Sequence, residues 1–222
     1  MLVNHDFTQR AKVTPAEYEW VHSPQAGVDR VMLDRIGGEK ARATSLVRYH
    51  PDSDFPEHQH PDGEEILVLE GTFSEGNKDY PAGWYMRNPP DSAHQPSSKE
   101  GAIIFVKLRQ MNRGTHGYVR LDTNDTANWQ PQSYGTICPL FHNEYETVDL
   151  VRLNPGEKMV VTGAELLLLS GELRENQDCD IPGTWIRLPA EDFLLLTAGV
   201  TGAIFYRKTG DIHQAIQAEV KV

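Results

Sequence analysis

Three histidines and one glutamate are spaced like the ligands of a metal ion. His58 and His60 are two residues apart in Glu57-His-Gln-His-Pro-Asp-Gly-Glu-Glu65, so on an extended segment both side chains point to one face. Glu64 keeps the same alternation, and His94 follows the turn-forming stretch Pro89-Pro-Asp-Ser-Ala. Imidazole nitrogens and a carboxylate oxygen suit a divalent transition ion and leave one or two coordination positions open. The sequence therefore predicts one metal site, at which water, a substrate or a regulatory ligand can bind.

The segments that carry these residues have the pattern of short β-strands. Runs rich in branched and aromatic residues, separated by Gly, Pro, Asn and Asp, occur at 43–49, 65–69, 102–108, 148–153, 166–169 and 203–207. Such regular spacing, with little helical periodicity, indicates an all-β sandwich or barrel. Only Thr14-Pro-Ala-Glu-Tyr-Glu indicates a short helical turn, with Thr14 as its N-cap.

The chain also repeats itself. Leu46-Val-Arg-Tyr-His-Pro51 returns as Leu150-Val-Arg-Leu-Asn-Pro155, and Glu65-Ile-Leu-Val-Leu-Glu-Gly71 returns as Glu165-Leu-Leu-Leu-Leu-Ser-Gly171. From residue 64 to 105 the offset stays at 100 without a gap. We therefore predict two copies of one unit, a domain of residues 1–124 with the metal site and a domain of residues 125–222 without one.

The second copy retains the turns and strands but has lost the ligands. At the same offset Glu64 becomes Ala164 and His94 becomes Leu194, and the loop that holds the two other histidines is shorter. The simplest interpretation is a structural half. The alternative is an apolar ligand pocket lined by Leu166, Leu168, Leu194 and Leu196.

No catalytic acid or base can be assigned from the sequence. Tyr49, Arg87 and Lys107 lie on predicted strands and can point into the barrel, although a structural or solvent-facing role is the preferred interpretation. His116 and His142 lie in connecting segments, where we expect exposed side chains rather than additional ligands.

These motifs resemble those of the cupin family. His58-x-His60, three residues, Glu64, six residues and Gly71 fit the first cupin motif, and Gly83, five residues, Pro89, four residues and His94 fit the second. The sequence departs from the pattern at three positions that are not metal ligands, with Asp52 and Asp91 in place of glycines and Ser98 in place of asparagine. The resemblance implies a duplicated cupin, or bicupin, whose units are double-stranded β-helix (jelly-roll) barrels.

The phrases 64–74, 79–83 and 87–90 resemble more narrowly the cupin domain of ChrR anti-sigma factors. That resemblance implies a zinc-binding regulator or sensor of oxidative stress, which acts on transcription through a sigma factor or another regulatory protein. In ChrR-type proteins a separate N-terminal zinc domain with a His, three residues, Cys, two residues, Cys motif holds the sigma factor. The first forty residues of this chain contain no cysteine, so that motif is missing here.

Relatives in the same cupin branch imply an alternative function. Some are metal-dependent, non-haem dioxygenases that cleave carbon–carbon bonds in small diketones or hydroxyketones. Of the ions that accept this ligand set we favour zinc, with iron, manganese and nickel as alternatives. Whether the chain is an enzyme or a sensor stays open at this point.

Composition limits the partners. The formal net charge is -11 across 222 residues, and no cluster of Lys and Arg is visible, which argues against direct nucleic-acid binding. Two cysteines, no apolar signal segment and no membrane-spanning stretch lead us to expect a cytoplasmic protein. A homodimer is also expected, since cupins often pair through sheet edges.

Overall fold

The computed structural model describes residues 1–210 and 212, apart from residues 39, 113 and 177. Its regular elements are β-strands and two short 3-10 turns, Pro15–Glu17 and Thr126–Asn128. Thr14 occupies the N-cap position of the first turn, as predicted, and its backbone amide and hydroxyl both donate to the Glu17 carboxylate at 2.8 Å. Among the described residues, no helix has the length and apolar character needed to cross a membrane.

Most of the strands are short, and they follow one another along most of the described chain. Up to residue 122 they are β1 (Leu2–Val3), β2 (Ala11–Val13), β3 (Val21–His22), β4 (Val28–Ile36), β5 (Arg42–Tyr49), β6 (Ser53–Asp54), β7 (His58–His60), β8 (Glu64–Glu75), β9 (Lys78–Pro81), β10 (Trp84–Asn88), β11 (Ser92–His94), β12 (Pro96–Ser98), β13 (Ala102–Leu108) and β14 (Val119–Asp122). The remaining strands are β15 (Gln130–Gln132), β16 (Gly135–His142), β17 (Glu146–Leu153), β18 (Lys158–Thr162), β19 (Ala164–Glu175), β20 (Asp178–Asp180), β21 (Trp185–Arg187) and β22 (Phe193–Gly210).

The chain divides into two compact units. The first contains residues 1–5 and 19–124, and the second contains residues 6–18 together with the chain from residue 125 onward. The predicted second domain ends at residue 222. Its residues 211 and 213–222 lie outside the described part of the chain.

The first unit is built around one large antiparallel sheet with the strand order β1-β4-β5-β13-β8-β10-β14. Strand β8 is long enough to pair with β13 and β10 and, through its last residues, with β9 and β12. Separately, β7 and β11 form a two-stranded antiparallel ribbon. A cluster of buried side chains, among them Ile66, Val68, Phe73 and Met86, forms the core of this unit.

The second unit has the corresponding order β15-β16-β17-β22-β19-β21-β2. Its strand β19 plays the part of β8, and β21 that of β10, because Glu165 lies opposite Arg187 just as Glu65 lies opposite Arg87. The prediction of an all-β, duplicated fold is therefore confirmed.

Residues 6–18 differ from the prediction, which placed all of residues 1–124 in one domain. Strand β2 pairs with β21 of the second unit, with Ala11 opposite Arg187 and Val13 opposite Trp185. In the first unit the same edge is covered by β14, which pairs with β10. Ion pairs hold the segment in place, since Arg10 binds Asp192 at 2.8 Å and Glu175 at 2.6 Å. The N-terminal segment thus completes a sheet that begins more than a hundred residues later.

The interior of the second unit is filled with aliphatic side chains. Leu166, Leu168, Leu194 and Leu196, which the sequence offered as walls of an apolar pocket, are at most 3% exposed and pack in one buried cluster. This packing favours the structural interpretation of the second copy over the ligand pocket.

A pair of matched glycines shows how closely the two copies share a backbone. Gly71 has φ +68° and lies opposite Ala102, and Gly171 has φ +77° and lies opposite Ala203. A Cβ atom at Gly71 would collide with the carbonyl oxygen of Gly101, and one at Gly171 would collide with that of Gly202.

We expect the Gly71→Ala substitution to destabilise the protein by more than about 3 kcal/mol, because backbone strain and a backbone clash add together. Gly76→Ala is the matched control, since Gly76 also has a positive φ of +61° but a Cβ atom there would meet nothing within 4 Å. The control should lose only about 1 kcal/mol. Denaturant unfolding of both variants measures the difference, and equal losses would show that the close approach is not what requires glycine.

Candidate metal centre

The three candidate histidines lie on one face of the β7–β11 ribbon. His58 and His94 are directly opposite each other in the register, and His60 is two residues along β7 from His58. Their ring centroids are 4.6 to 4.9 Å apart in edge-on arrangements. The alternation inferred from the sequence therefore places all three imidazoles together.

Two tight turns position Glu64 and strand β11 beside β7. The Gly63 amide donates to the His60 carbonyl at 3.1 Å, which closes a turn with Pro61 at its second position and directs the chain into β8 at Glu64. The turn before β11 is closed by the Ser92 amide, which donates to the Pro89 carbonyl at 3.1 Å. The two loops are joined, because the Asp91 amide donates to the His60 carbonyl at 2.8 Å.

Two of the departures from the cupin motifs occur at positions that require a left-handed backbone. Asp52 has φ +57° and Asp91 has φ +65°. Glycine is the usual residue for this conformation, and aspartate is one of the few others that adopt it readily. The departures therefore preserve the local backbone. The third, Ser98, is buried and donates to the Thr72 carbonyl at 2.6 Å.

The four predicted ligands converge closely enough to share one ion. One ligand atom from each of His58, His60, Glu64 and His94 lies within 4.8 Å of the other three. Atoms bound to a single ion at about 2.0–2.2 Å are at most about 4.4 Å apart, so little adjustment is needed. Glu64 Oε2 is 3.4 Å from both His60 Nε2 and His94 Nε2.

Unpaired buried nitrogens support the fit to a metal ion. In the described part of the chain, His60 Nε2 and His94 Nε2 are buried and have no hydrogen-bond partner. The Nδ1 atom of His58 donates to the Pro56 carbonyl at 3.1 Å, which leaves its Nε2 lone pair available. Buried polar atoms without partners are costly, and a metal ion would satisfy them together.

The electrostatics of the cluster differ between its histidines. Burial lowers the pKa of His60, which favours the neutral imidazole that binds metal. Burial also opposes the charged form of His94, but the neighbouring carboxylates Glu75 and Glu64 outweigh it and raise the pKa of His94. A bound ion would take the place of that proton.

A second set of residues, which sequence reasoning missed, contacts the candidate ligands. Asn88 donates its side-chain amide to Glu64 Oε2 at 2.8 Å, and Glu75 Oε1 lies 3.3 Å from His94 Nδ1. Arg120 connects both supports, because it donates to Asn88 Oδ1 at 2.6 Å and to Glu75 Oε2 at 2.8 Å. Such partners fix the orientation of metal ligands and tune their affinity.

One signal in the sequence could have identified Asn88. At the offset of 100 it corresponds to Leu188, so it is lost in the second copy together with Glu64 and His94. Glu75 gives no such signal, because its counterpart Glu175 is kept and binds Arg10 instead.

The other candidates from the sequence lie in different places. Tyr49 is buried in the core of the first unit and lines the cavity beside the cluster. Arg87 and Lys107 flank Glu65 in the strand register, on the face of the sheet opposite Glu64, where Arg87 binds Glu65 at 2.9 Å and Lys107 donates to Thr44 at 3.0 Å. These two are therefore structural. His116 and His142 are exposed, as expected, and are not members of the four-residue cluster.

A cavity of about 480 Å³ opens beside the cluster and is lined in part by His58, His60 and Glu64. Its size is within the range of small-molecule sites, and much of its wall is apolar. A ligand in this cavity would have direct access to an ion held by the four residues.

Comparison with known proteins agrees with this description. The family of ChrR cupin-like domains matches residues 8–112, just under half of the chain. No curated protein matches the sequence.

Several solved structures share the fold across nearly the whole chain. A proposed dioxygenase from Nostoc punctiforme has a TM-score of 0.69 at 14% identity, covering 93% of this chain and 81% of its own. The bacterial pirin YhhW from Escherichia coli, in complex with nickel(II), has a TM-score of 0.64 at 14% identity, covering 91% and 99%. Protein Ylba from Escherichia coli has a TM-score of 0.68 at 16% identity, covering 91% of both chains. At such identities the likeness establishes the fold alone, a duplicated cupin.

We expect His60→Ala and Glu64→Ala each to abolish stoichiometric metal binding, because each removes a ligand and leaves a buried partner unpaired. Metal analysis of the purified variants by mass spectrometry tests this. His116→Ala, which removes an exposed histidine, should keep the wild-type metal content. Full metal content in both ligand variants would show that the site is assigned incorrectly.

The Asn88→Leu substitution, which copies the second unit, should keep one metal per chain but weaken its binding by roughly 10–100-fold, because Glu64 loses the donor that orients it. Titration against a chelator of known affinity gives the constant. Unchanged affinity would mean that the Asn88 contact plays no part in metal binding.

Proposed function

We propose that the region matched by the family of ChrR cupin-like domains, residues 8–112, is a metal-dependent dioxygenase for a small diketone or hydroxyketone. The ion would be held by His58, His60, Glu64 and His94. The observation that carries the proposal is the cavity of about 480 Å³ that shares three of these residues. A purely structural ion would not need such a space beside it.

The residues of the cavity suit a small ligand that binds the ion with two oxygen atoms. Four protein ligands leave one or two positions of a five- or six-coordinate ion for such a molecule. When bound, the ion supplies Lewis acidity and, if it is redox-active, the reaction with dioxygen. Cleavage of a diketone by one dioxygen molecule gives one carboxylic acid and one 2-oxoaldehyde, so no other reductant is required.

The protein's own contribution is to orient the ligand and exclude water. Val47, Ile104 and Val106 form part of the apolar wall. Tyr49, in the same wall, packs against Phe55 and Phe73 with ring centroids 5.8 and 5.7 Å away. Burial, together with the charge of Glu64, raises the pKa of Tyr49, which keeps its phenol a neutral hydrogen-bond donor.

A regulatory role is the second candidate, and the family match favours it. A ChrR-like sensor would hold zinc at the same four residues, respond to an oxidant or small ligand, and pass the change to a sigma factor or another protein partner in the cytoplasm. The sensor would act as a homodimer, and its contact with the partner protein would change when the signal is received. The second unit, with its filled interior, would serve as a structural half in either case.

Metal content and oxygen consumption decide between the two candidates. We expect metal-free protein reloaded with iron(II) to consume oxygen with 1-phenylbutane-1,3-dione (benzoylacetone), one dioxygen for each diketone lost. The Glu64→Ala variant and the zinc-loaded protein should consume none. An oxygen electrode and product chromatography provide the measurements.

An iron-loaded protein with full occupancy and no oxygen uptake on diketones or hydroxyketones would contradict the dioxygenase proposal. If, besides that result, protein purified without added metal contains zinc, the regulatory role becomes the preferred function.

A further inference from the structure

Positive charge is concentrated in the wall of the cavity beside the metal cluster. Among the described residues that line it, the basic side chains are Arg30, Lys40 and Arg109, whereas the acidic one is the metal ligand Glu64. This is the reverse of the whole chain, whose formal net charge is -11. The net charge of the cavity wall is therefore opposite in sign to that of the whole chain.

Arg30 is the half-buried basic residue in this wall that has no acidic partner among the described residues. Its Nε atom is buried without a hydrogen-bond partner, and within the part of the chain that the structure describes its side chain forms no ion pair. Arg109, in contrast, is paired with Asp62 at 3.2 Å. Lys40 is exposed, so water screens its charge.

The strand register places Arg30 on the same face as the interior side chains. In β4 and β5, Arg30 lies opposite Val47, and Val47 in turn lies opposite Ile104 of β13. All three line the cavity. Arg30 also lines a neighbouring cavity of about 520 Å³, so this residue borders both spaces.

A loaded metal site would make this arrangement still more positive. A divalent ion with three neutral imidazoles and one carboxylate keeps a net charge of about +1. Arg30, which is half-buried, adds a second positive charge to the same cavity, where water screens the repulsion only in part. An anionic ligand would offset both charges, whereas a neutral one would offset neither.

We propose that Arg30 is a specificity-determining residue that selects a small organic carboxylate with an apolar body as the ligand of the metal cavity. The inference rests on the proposed function, because the ligand also contacts the ion. Arginine suits this task, since its planar guanidinium can bind both oxygens of a carboxylate. The apolar wall around Val47 and Phe55 would pack against the remainder of the ligand.

Two probes that differ only in this feature test the inference. Benzoylpyruvate (4-phenyl-2,4-dioxobutanoate) and benzoylacetone share the phenyl ring and the diketone, but one ends in a carboxylate and the other in a methyl group. Calorimetric titration of the zinc-loaded full chain measures binding without turnover. We expect wild-type protein to bind benzoylpyruvate more tightly than benzoylacetone.

The Arg30→Gln substitution should weaken benzoylpyruvate binding on the order of 10–100-fold and leave benzoylacetone binding unchanged. Arg30→Lys should restore part of the preference. Lys99→Gln is the charge-matched control, because Lys99 is exposed and lies outside the cavity wall. Zinc content and the unfolding midpoint establish that each variant is folded and loaded.

Several outcomes would overturn the inference. Arg30→Gln could weaken the binding of both probes equally, or could weaken neither. Zinc-loaded wild-type protein could bind neither probe, or metal-free protein could bind benzoylpyruvate as tightly as the loaded protein does. Oxygen uptake separates this failure from that of the proposed function. If benzoylacetone is turned over but Arg30→Gln does not change benzoylpyruvate binding, the dioxygenase proposal stands and the carboxylate site is wrong. If benzoylpyruvate binding depends on Arg30 but no oxygen is consumed, the carboxylate site stands and the dioxygenase proposal is wrong.

Discussion

Gathering four polar groups around one point, three of them buried, is the constraint on which the first unit depends. His60, Glu64 and His94 are each at most 6% exposed, and the nitrogens that face inward have no partner in the described structure. Removing such groups from water is costly unless something replaces the lost hydrogen bonds. A divalent ion is suited to do so for all of them at once. This arrangement is unfavourable without an ion. The local turns, the joined loops and the supporting hydrogen bonds hold the four side chains in position for one.

The support for the cluster comes from a distant strand. Arg120 is on β14, which pairs with the edge of β10, and from there it binds both Asn88 and Glu75. Each of those residues contacts one ligand, so a single guanidinium helps to orient Glu64 and His94 together. Because β14 comes late in the unit, the cluster is fully supported only when the sheet is complete, so the affinity for a metal ion would be coupled to folding.

The cluster of four candidate ligands could be predicted from the sequence, but most of its supports could not. Alternation along β7 and the missing ligands in the second copy are local or periodic signals, and they identify residues 58, 60, 64 and 94 without knowledge of the fold. Arg120, Arg30 and the segment 6–18 give no such signal, because their positions depend on pairing between strands far apart in sequence. Arg10 illustrates this, since its partner Asp192 is 182 residues away.

The second unit shows why such a site is kept or lost as a whole. Losing His94 alone would leave Glu64 and His60 buried with fewer partners, and a partly satisfied polar network is worse than an apolar core. In the second copy Ala164, Leu188 and Leu194 stand where Glu64, Asn88 and His94 stand in the first, and all three are buried with at most 2% exposure. The backbone frame, including the paired glycines, is nevertheless retained. The candidate ligand set and the frame are therefore separable, because the second unit keeps the frame without the ligand set.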